Sequence, residues 1–179
     1  MRIIIDSREH KNATILIENE FIKRDVNYIR SKLPFGDYYN PENPNLVIDR
    51  KKSLAELCVN LSDVPMKDKN GHIRRDKNGK VMTDKKRFIA ELDGARQFGQ
   101  HLVILIEHGA GIKCLEDIKN WKNPRLRTSP LAMSGERLYT ILSVMKRTYG
   151  FDVEFCDKKD TGKRIIEILE RQYEGDNTD

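Results

Sequence analysis

Apolar and polar positions alternate along the chain with two periods, and these periods predict strands and helices in turn. The β-branched run at 3–5 predicts a first strand, and residues 26–33 and a run ending at Asp49 predict two more. The nearly continuous apolar run of residues 101–107 is typical of a central strand covered on both faces. Residues 153–155 predict a further strand.

Apolar residues at helical spacing predict helices between these strands. The predicted helices cover residues 12–24, 53–61, 85–98, 136–148 and 163–173, with a short one near 115–121. Ser134 is a candidate N-cap for the helix that begins at 136. This alternation of strands and helices predicts an α/β fold, with a mixed central sheet and helices on both faces.

Length and composition favour one compact domain. A chain of 179 residues is close to the size of one domain, and no apolar stretch approaches the roughly 20 residues that span a bilayer. The N-terminal apolar run is too short for a signal peptide, so we expect a protein that is not secreted. Three widely spaced cysteines and four histidines indicate neither a disulfide framework nor a zinc site, and we expect reduced, buried thiols.

The basic charge of the chain is concentrated in one segment. Residues 64–87 carry nine Lys or Arg and three Asp, a net charge of +6, although the whole chain carries only +5. Two copies of Asp-Lys-Asn-Gly, offset by eight residues, each contain Asn-Gly, a strong signal for a tight turn. We predict a mobile, basic, hairpin-like insertion at about 64–86, which either contacts DNA or is a solvated loop. Its candidate DNA-binding residues are Lys67, Lys69, Arg74, Arg75, Lys77, Lys80, Lys85 and Lys86.

The segment GDYYNPENPNLVIDRKK, residues 36–52, predicts two strand-like arms joined by a turn. Gly36 permits a sharp bend at the start, and Asn-Pro-Glu-Asn-Pro in the middle is typical of turns. The two arms can therefore bring Asp37 and Asp49 together. Two converging carboxylates are costly unless a cation lies between them, and a hard divalent ion such as Mg²⁺ prefers such oxygen ligands.

A lysine adds its charge to the same place. Successive strand residues point to opposite faces, so Asp49 and Lys51 share one face while Arg50 points away. A metal there could activate a bound water, and Lys51 could orient or deprotonate that water or neutralise charge on a phosphate. The pattern acid-x-Lys occurs five times in the chain, so the pattern alone does not identify a site. The copy at Asp49 differs from an ordinary surface ion pair only because it follows an apolar strand.

The order of these motifs resembles the nuclease domain of the XPF-type structure-specific endonucleases, within the PD-(D/E)xK superfamily. The matching motifs are Ile-Ile-Ile-Asp6-Ser-Arg8-Glu9, Gly36-Asp37-Tyr38, Val-Ile-Asp49-Arg50-Lys51, Arg87-Phe88-x-x-Glu91 and Val-Ile-Leu-Ile-Glu107. The resemblance covers residues 1 to about 108 and implies a restriction-endonuclease-like core. It also implies an Mg²⁺-dependent DNA endonuclease, with Mn²⁺ able to substitute, that acts on branched or flapped duplex DNA.

The resemblance further implies roles for single residues. The catalytic residues that it implies are Lys51, Asp37, Asp49, Arg50, Arg8 and Arg87. The metal ligands that it implies are Asp37, Asp49, Glu9 and Asp6. The family usually has Glu in place of Asp49, and its acid four residues beyond the lysine falls on Ala55. Whether Glu56 or Glu91 belongs to the site is therefore open.

Several alternatives remain at this stage. A Holliday-junction-resolving or restriction-type nuclease would share the site, and a non-catalytic nuclease-like partner would bind DNA without cutting it.

We expect one domain over 1–179 with a short flexible tail at about 175–179. Without the helix-hairpin-helix module of many relatives, we expect a stand-alone viral or prokaryotic form, cytoplasmic or nucleoid-associated.

Because XPF-type domains commonly pair, we expect a homodimer through the apolar face of the last helix. The alternative is that this face packs onto the sheet of its own chain. That face consists of Ile165, Ile166, Ile168 and Leu169.

Overall fold

A computed structural model describes residues 1–109 and 111–172, and this part of the chain forms a six-stranded sheet. The strands are β1 (Arg2–Asp6), β2 (Asn27–Ser31), β3 (Tyr38–Tyr39), β4 (Leu46–Lys51), β5 (His101–Glu107) and β6 (Asp152–Cys156). They lie in the order β2-β1-β3-β4-β5-β6, and neighbours are parallel except that β3 is antiparallel to β1 and β4. The predicted mixed sheet is confirmed.

Helices cover both faces of this sheet. They are α1 (Lys11–Lys23), α2 (Leu54–Asn60), α3 (Asp84–Gln97), α4 (Gly135–Tyr149) and α5 (Thr161–Leu169), with 3-10 segments at Glu116–Asn120, Pro124–Arg127 and Lys158–Asp160. The front face is the one that α2, α3 and α4 cover, around Leu54, Phe88 and Leu142. The back face is covered by α1 and α5, around Phe21 and Ile165. The α/β layering predicted from the sequence is therefore confirmed.

The predicted elements agree with the structure in type and differ mainly at their ends. The helix predicted at 163–173 is α5, which begins two residues earlier, and the short helix predicted near 115–121 is a 3-10 segment. Ser134 caps α4 by accepting the N–H of Arg137. The two-residue β3 and the following β4 are the two strand-like arms predicted in residues 36–52, and they pair antiparallel. The tail expected at 175–179 lies outside the described residues.

The apolar face of α5 packs against the core of its own chain. Its four apolar residues are at most 5% exposed and lie in one cluster with Ile17 and Phe21 of α1 and Ile48 of β4. The expectation that this face forms a homodimer is therefore corrected. The physical reason is that the back face of the sheet is apolar and must itself be covered.

The three cysteines are free thiols in different surroundings. Cys58 is buried and Cys156 is partly buried, whereas Cys114 is exposed. The expectation of buried thiols therefore fails for Cys114, which lies in the loop before the 3-10 segment at Glu116–Asn120. In the two described ranges, no helix is both long and apolar enough to cross a membrane.

Candidate active site

A tight turn at Gly36 places Asp37 beside the end of β4. Gly36 has a φ of +67°, and a Cβ there would lie 2.5 Å from Cγ2 of Val47 and 3.0 Å from the carbonyl oxygen of Ile48, so only glycine fits. The N–H of Asp37 donates to that carbonyl at 2.7 Å. The N–H of Arg50 donates to Oδ2 of Asp37 at 2.8 Å. These bonds fix the Asp37 carboxylate across from β4.

Asp49 and Lys51 lie together on the front face of β4. Both side chains are buried, and Nζ of Lys51 donates to Oδ1 of Asp49 at 2.8 Å and lies 2.6 Å from Oδ2. Oδ2 of Asp49 is buried and accepts no well-directed hydrogen bond from the described residues. Burial alone would lower the pKa of Lys51, but the Asp49 carboxylate outweighs burial and raises it. Lys51 is therefore protonated in this state.

Glu91 supplies a third carboxylate beside Asp37 and Asp49. The sequence alone did not decide whether Glu91 belongs to the site. It lies on α3, and its Oε1 accepts the N–H of Gly36 at 2.8 Å. Three residues further along α3, Gly94 admits the ring of Phe35, because a Cβ at Gly94 would lie 3.3 Å from Cδ1 of that ring. One face of α3 therefore fixes the Gly36 turn at two points, since residues three apart share a helix face. The signal in the sequence was the spacing of Glu91 after Arg87.

Burial and mutual repulsion raise the pKa values of Asp37 and Glu91. Burial raises the pKa of Asp37 well above its ordinary value, and the charges of Asp49 and Glu9 raise it further. Burial also raises the pKa of Glu91, and the charge of Asp49 adds to the effect. Perturbed carboxylates that face one another are typical of functional sites, and a cation bound between them would relieve the repulsion.

The donor set at this site fits a hard divalent cation. Mg²⁺ is usually held by one or two protein carboxylates together with waters and substrate phosphates. Asp37 and Asp49 provide such a pair, and the buried Oδ2 of Asp49 lacks a directed hydrogen bond. In residues 1–109 and 111–172, no three His, Cys, Asp or Glu side chains are grouped closely enough to hold an ion by themselves. The site therefore suits an ion that completes its shell with water and substrate oxygens.

Asp6 and Arg8 form an ion pair next to the carboxylates. Nη2 of Arg8 lies 2.6 Å from Oδ2 of Asp6, its Nε donates to Oδ1 at 2.8 Å, and the N–H of Leu33 donates to Oδ2 at 2.9 Å. Burial alone would raise the pKa of Asp6, but these hydrogen bonds outweigh burial and lower it. Both oxygens of Asp6 are thus engaged by the protein, whereas the guanidinium of Arg8 stays largely exposed.

Arg50 lies on the back face of the sheet, away from Lys51. Its Nη1 donates to Oε1 of Glu107 at 2.9 Å, and its Nη2 lies 2.5 Å from Oε2 of Glu9. Thr161 of α5 donates to the same Glu107 oxygen at 3.0 Å. Glu9, which was expected among the metal ligands, is thus paired with Arg50 behind the sheet. This buried network joins the end of β4 to β5 and α5.

Arg87 and Glu56 lie on the helices nearest the site and differ in their surroundings. Arg87 is exposed on the first turn of α3, and its charge favours the ionised form of Glu91. Glu56 caps α2, because its Oε2 accepts the N–H of Lys52 at 2.8 Å while Ser53 Oγ accepts the N–H of Glu56 at 3.2 Å. Glu56 therefore stabilises the first turn of α2.

The basic insertion folds as two tight turns on a short paired base. Backbone hydrogen bonds of 2.8–2.9 Å connect Met66, Arg74 and Met82. In each repeat, Oδ1 of the aspartate accepts the N–H groups of the residues two and four positions later. Gly71 and Gly79 have φ values of +85° and +76°, as such turns require. Each copy of the repeat thus forms one turn.

Most of the candidate DNA-binding cations in the insertion are exposed. The exposed members are Lys67, Lys69, Arg74, Arg75, Lys77, Lys80 and Lys86. Lys85 is partly buried and pairs with Asp63 at 3.0 Å. Thr83 caps α3 with its side chain, so the insertion runs directly into the helix that carries Arg87 and Glu91. The cationic surface is therefore connected to the carboxylate site by one helix.

Two solved structures of one protein are similar to this chain in architecture. Two structures of XPF from Aeropyrum pernix, one of them a complex with DNA, each match 94% of this chain with a TM-score of 0.59 and 18% sequence identity. The chain has an XPF-like nuclease-domain fold. It spans 63% and 62% of the two XPF chains. No protein-family model and no curated protein matches the sequence. The XPF resemblance predicted from the motifs is thus confirmed at the level of the fold.

Proposed function

We propose that this chain is a divalent-metal-dependent DNA endonuclease that hydrolyses phosphodiester bonds in branched or flapped DNA. The observation that carries the proposal is the convergence of Asp37, Asp49 and Glu91 around the protonated Lys51. The XPF-like fold supports it, because Aeropyrum pernix XPF has been solved in complex with DNA.

The chemistry assigns separate tasks to the carboxylates and the lysine. Asp37 and Asp49 would hold the cation, and such a cation supplies an activated water and polarises a phosphodiester. Lys51 lies beside the Asp49 carboxylate, where it can orient the water or neutralise charge that develops on the phosphate. Glu91 keeps the Gly36 turn in register with α3 through its hydrogen bond.

The basic insertion and Arg87 would bind the DNA backbone. Exposed lysines and arginines neutralise phosphates and release counterions, which gives an affinity that depends on salt and little on sequence. The insertion contains no aromatic residue between Val64 and Arg87. It therefore suits contacts to phosphates better than stacking on bases.

Cleavage of labelled flap, fork, four-way junction, single-stranded and plain duplex DNAs tests the proposal. We expect Mg²⁺ or Mn²⁺ to support cleavage of flaps or forks. Asp37→Asn and Asp49→Asn should each abolish cleavage while DNA binding survives, because these residues would hold the metal and not the phosphates. Cleavage that persists in excess EDTA would refute the metal-dependent reaction. A preference for four-way junctions would favour a resolving nuclease, and binding without any cleavage would favour a non-catalytic partner.

A further inference from the structure

An apolar pocket of about 220 Å³ lies beside the Gly36 turn, on the front face. Leu33, Phe35, Tyr39 and Phe98 line it. Phe98 directly follows α3 and is 71% exposed, with its ring centroid 5.5 Å from that of Phe35. Phe98 therefore presents most of its ring to solvent at the edge of the pocket.

Two residues that line the pocket lie close in the chain to the carboxylate site. Phe35 directly precedes Gly36 and Asp37 in the chain, and Val47, another lining residue, lies two positions before Asp49 on the same face of β4. Two residues of extended chain span about 7 Å, since a strand rises 3.2–3.4 Å per residue. The wall of the pocket formed by Val47 is therefore about 7 Å from Asp49 along β4.

A cation stands at the rim between the pocket and the carboxylates. Nη2 of Arg8 donates to the carbonyl oxygen of Leu33 at 3.0 Å, and 60% of the Arg8 side chain is exposed. Asp6, two residues before Arg8, fixes the guanidinium by accepting hydrogen bonds from its Nε and Nη2. An aromatic pocket, a cation and a carboxylate cluster thus occur in sequence along one surface. This sequence of groups complements the base and phosphate of a single nucleotide.

We propose that the pocket receives an unpaired nucleobase of the bound strand, which stacks on Phe98 next to the scissile phosphate. This inference rests on the proposed nuclease function and narrows its substrate to DNA with an unpaired or easily unstacked nucleotide at the cleavage site. Stacking on an aromatic ring tolerates every base, so the pocket selects for DNA structure and not for sequence. The pocket and the basic insertion would contact different parts of the DNA. The pocket would contact a base, and the insertion would contact phosphates.

Phe98→Ala tests the pocket in the full chain. The exposure of Phe98 allows this variant to fold, and Ile22→Ala, which removes a 65% exposed side chain from α1 on the back face, is the matched control. Both changes are made in an Asp49→Asn background, in which cleavage should be abolished while DNA binding survives. Binding is measured by fluorescence anisotropy on a flap DNA with intact bases and on flap DNAs with one abasic nucleotide at successive positions around the cleavage site.

Phe98→Ala should weaken binding of the intact flap by roughly 5- to 100-fold, the usual effect of removing one stacked aromatic side chain. An abasic nucleotide at one of the tested positions should weaken binding by a similar factor. On that DNA, Phe98→Ala should cause no further loss of affinity. Such non-additivity identifies two partners in one contact. Ile22→Ala should bind the intact flap as tightly as its parent.

Two results would overturn the proposed pocket. One is an intact-flap affinity unchanged by Phe98→Ala, or reduced equally on every abasic DNA. The other is sedimentation that finds a dimer for the parent and a monomer for Phe98→Ala, because the pocket would then be an interface between copies. If the wild-type protein binds no DNA, the nuclease function itself fails. If it binds and cleaves DNA while Phe98→Ala behaves identically, only the pocket proposal fails.

Discussion

Arg50 and Lys51 are adjacent in β4 and serve different purposes, because a strand sends successive side chains to opposite faces. Lys51 pairs with Asp49 in front of the sheet, whereas Arg50 pairs with Glu9 and Glu107 behind it. The alternation that predicted this division was visible in the sequence. The partners of Arg50 were not, because Glu9 and Glu107 lie 41 and 57 residues away along the chain.

Lys51→Ala should slow the chemical step by roughly 10²–10⁴-fold, the usual contribution of a group that handles charge or protons in a transition state. Single-turnover cleavage of a saturating flap DNA measures this rate. Lys52→Ala is the matched control, because Lys52 is the next residue, is exposed and uses only its backbone N–H in the α2 cap. A Lys51 variant that cleaves at nearly the wild-type rate would reduce Lys51 to an ion-pair partner of Asp49.

Arg50→Met should lower the free energy of unfolding by about 3–5 kcal/mol, because it leaves the buried Glu107 carboxylate without its charged partner. Urea unfolding in EDTA measures the change. Arg24→Ala removes a more exposed pair with Glu20 and should leave the free energy of unfolding nearly unchanged. If the Arg50 variant is as stable as the wild type yet fails to cleave DNA, the arginine acts in catalysis and not in positioning β4.

Helix α1 shows what periodicity can and cannot predict at the scale of an element. The apolar positions Ile15, Leu16, Phe21 and Ile22 predicted a helix, and the helix is present. Of these four side chains only Phe21 is buried, because apolar residues occur on two sides of α1 and the sheet covers just one. The type of an element follows from local spacing, but the choice of the buried face depends on distant strands.

The same distinction applies to the elements of the site. Asp37 and Asp49 belong to arms joined by a short turn, so their convergence could be predicted locally. Glu91 arrives on a helix 55 residues after Gly36, and no local pattern indicates that contact. Packing of Phe35 against Gly94 produces it, and such packing becomes visible only in three dimensions.

The basic insertion should supply much of the DNA affinity without supplying the chemistry. Replacing residues 67–81 with a short Gly-Ser linker should weaken binding and flatten the slope of log affinity against log salt, by about 0.9 for each lost phosphate contact. Cleavage of saturating DNA should be largely retained. Lys158→Ala with Lys159→Ala, which removes exposed cations beyond β6, should leave the slope nearly unchanged. An unaltered slope after the replacement would show that the insertion is a solvated loop.

At the scale of the whole molecule, the site lowers the stability of the fold that holds it. Two apolar cores on either side of the sheet must offset the repulsion among Asp37, Asp49 and Glu91. The back-face core includes α5, which explains why the chain buries that helix instead of offering it to a second copy. Removing one charge, or binding a cation, should therefore stabilise the entire chain.

Asp37→Asn should raise the melting temperature in EDTA, because the amide keeps an oxygen for the N–H of Arg50 but carries no charge. Because the pKa of Asp37 is raised in the fold, its carboxyl does not lower wild-type stability below the ordinary Asp pKa of about 4. Wild-type stability then falls as the pH rises through the pKa that Asp37 has in the fold. The advantage of the variant should therefore open above about pH 4 and become constant once Asp37 is ionised in the fold. Asp93→Asn on α3 is the control.

Added Ca²⁺ should make the wild type more stable than Asp37→Asn, because an ion that binds only the folded state stabilises that state by mass action. Thermal unfolding at pH 8 should show a larger rise in melting temperature with Ca²⁺ for the wild type than for Asp37→Asn, and the Asp93→Asn protein should respond like the wild type. Equal stability of wild type and Asp37→Asn in EDTA, together with no response to Ca²⁺, would contradict both the repulsion and the cation site. Because melting requires no DNA, this result is independent of the substrate that the nuclease prefers.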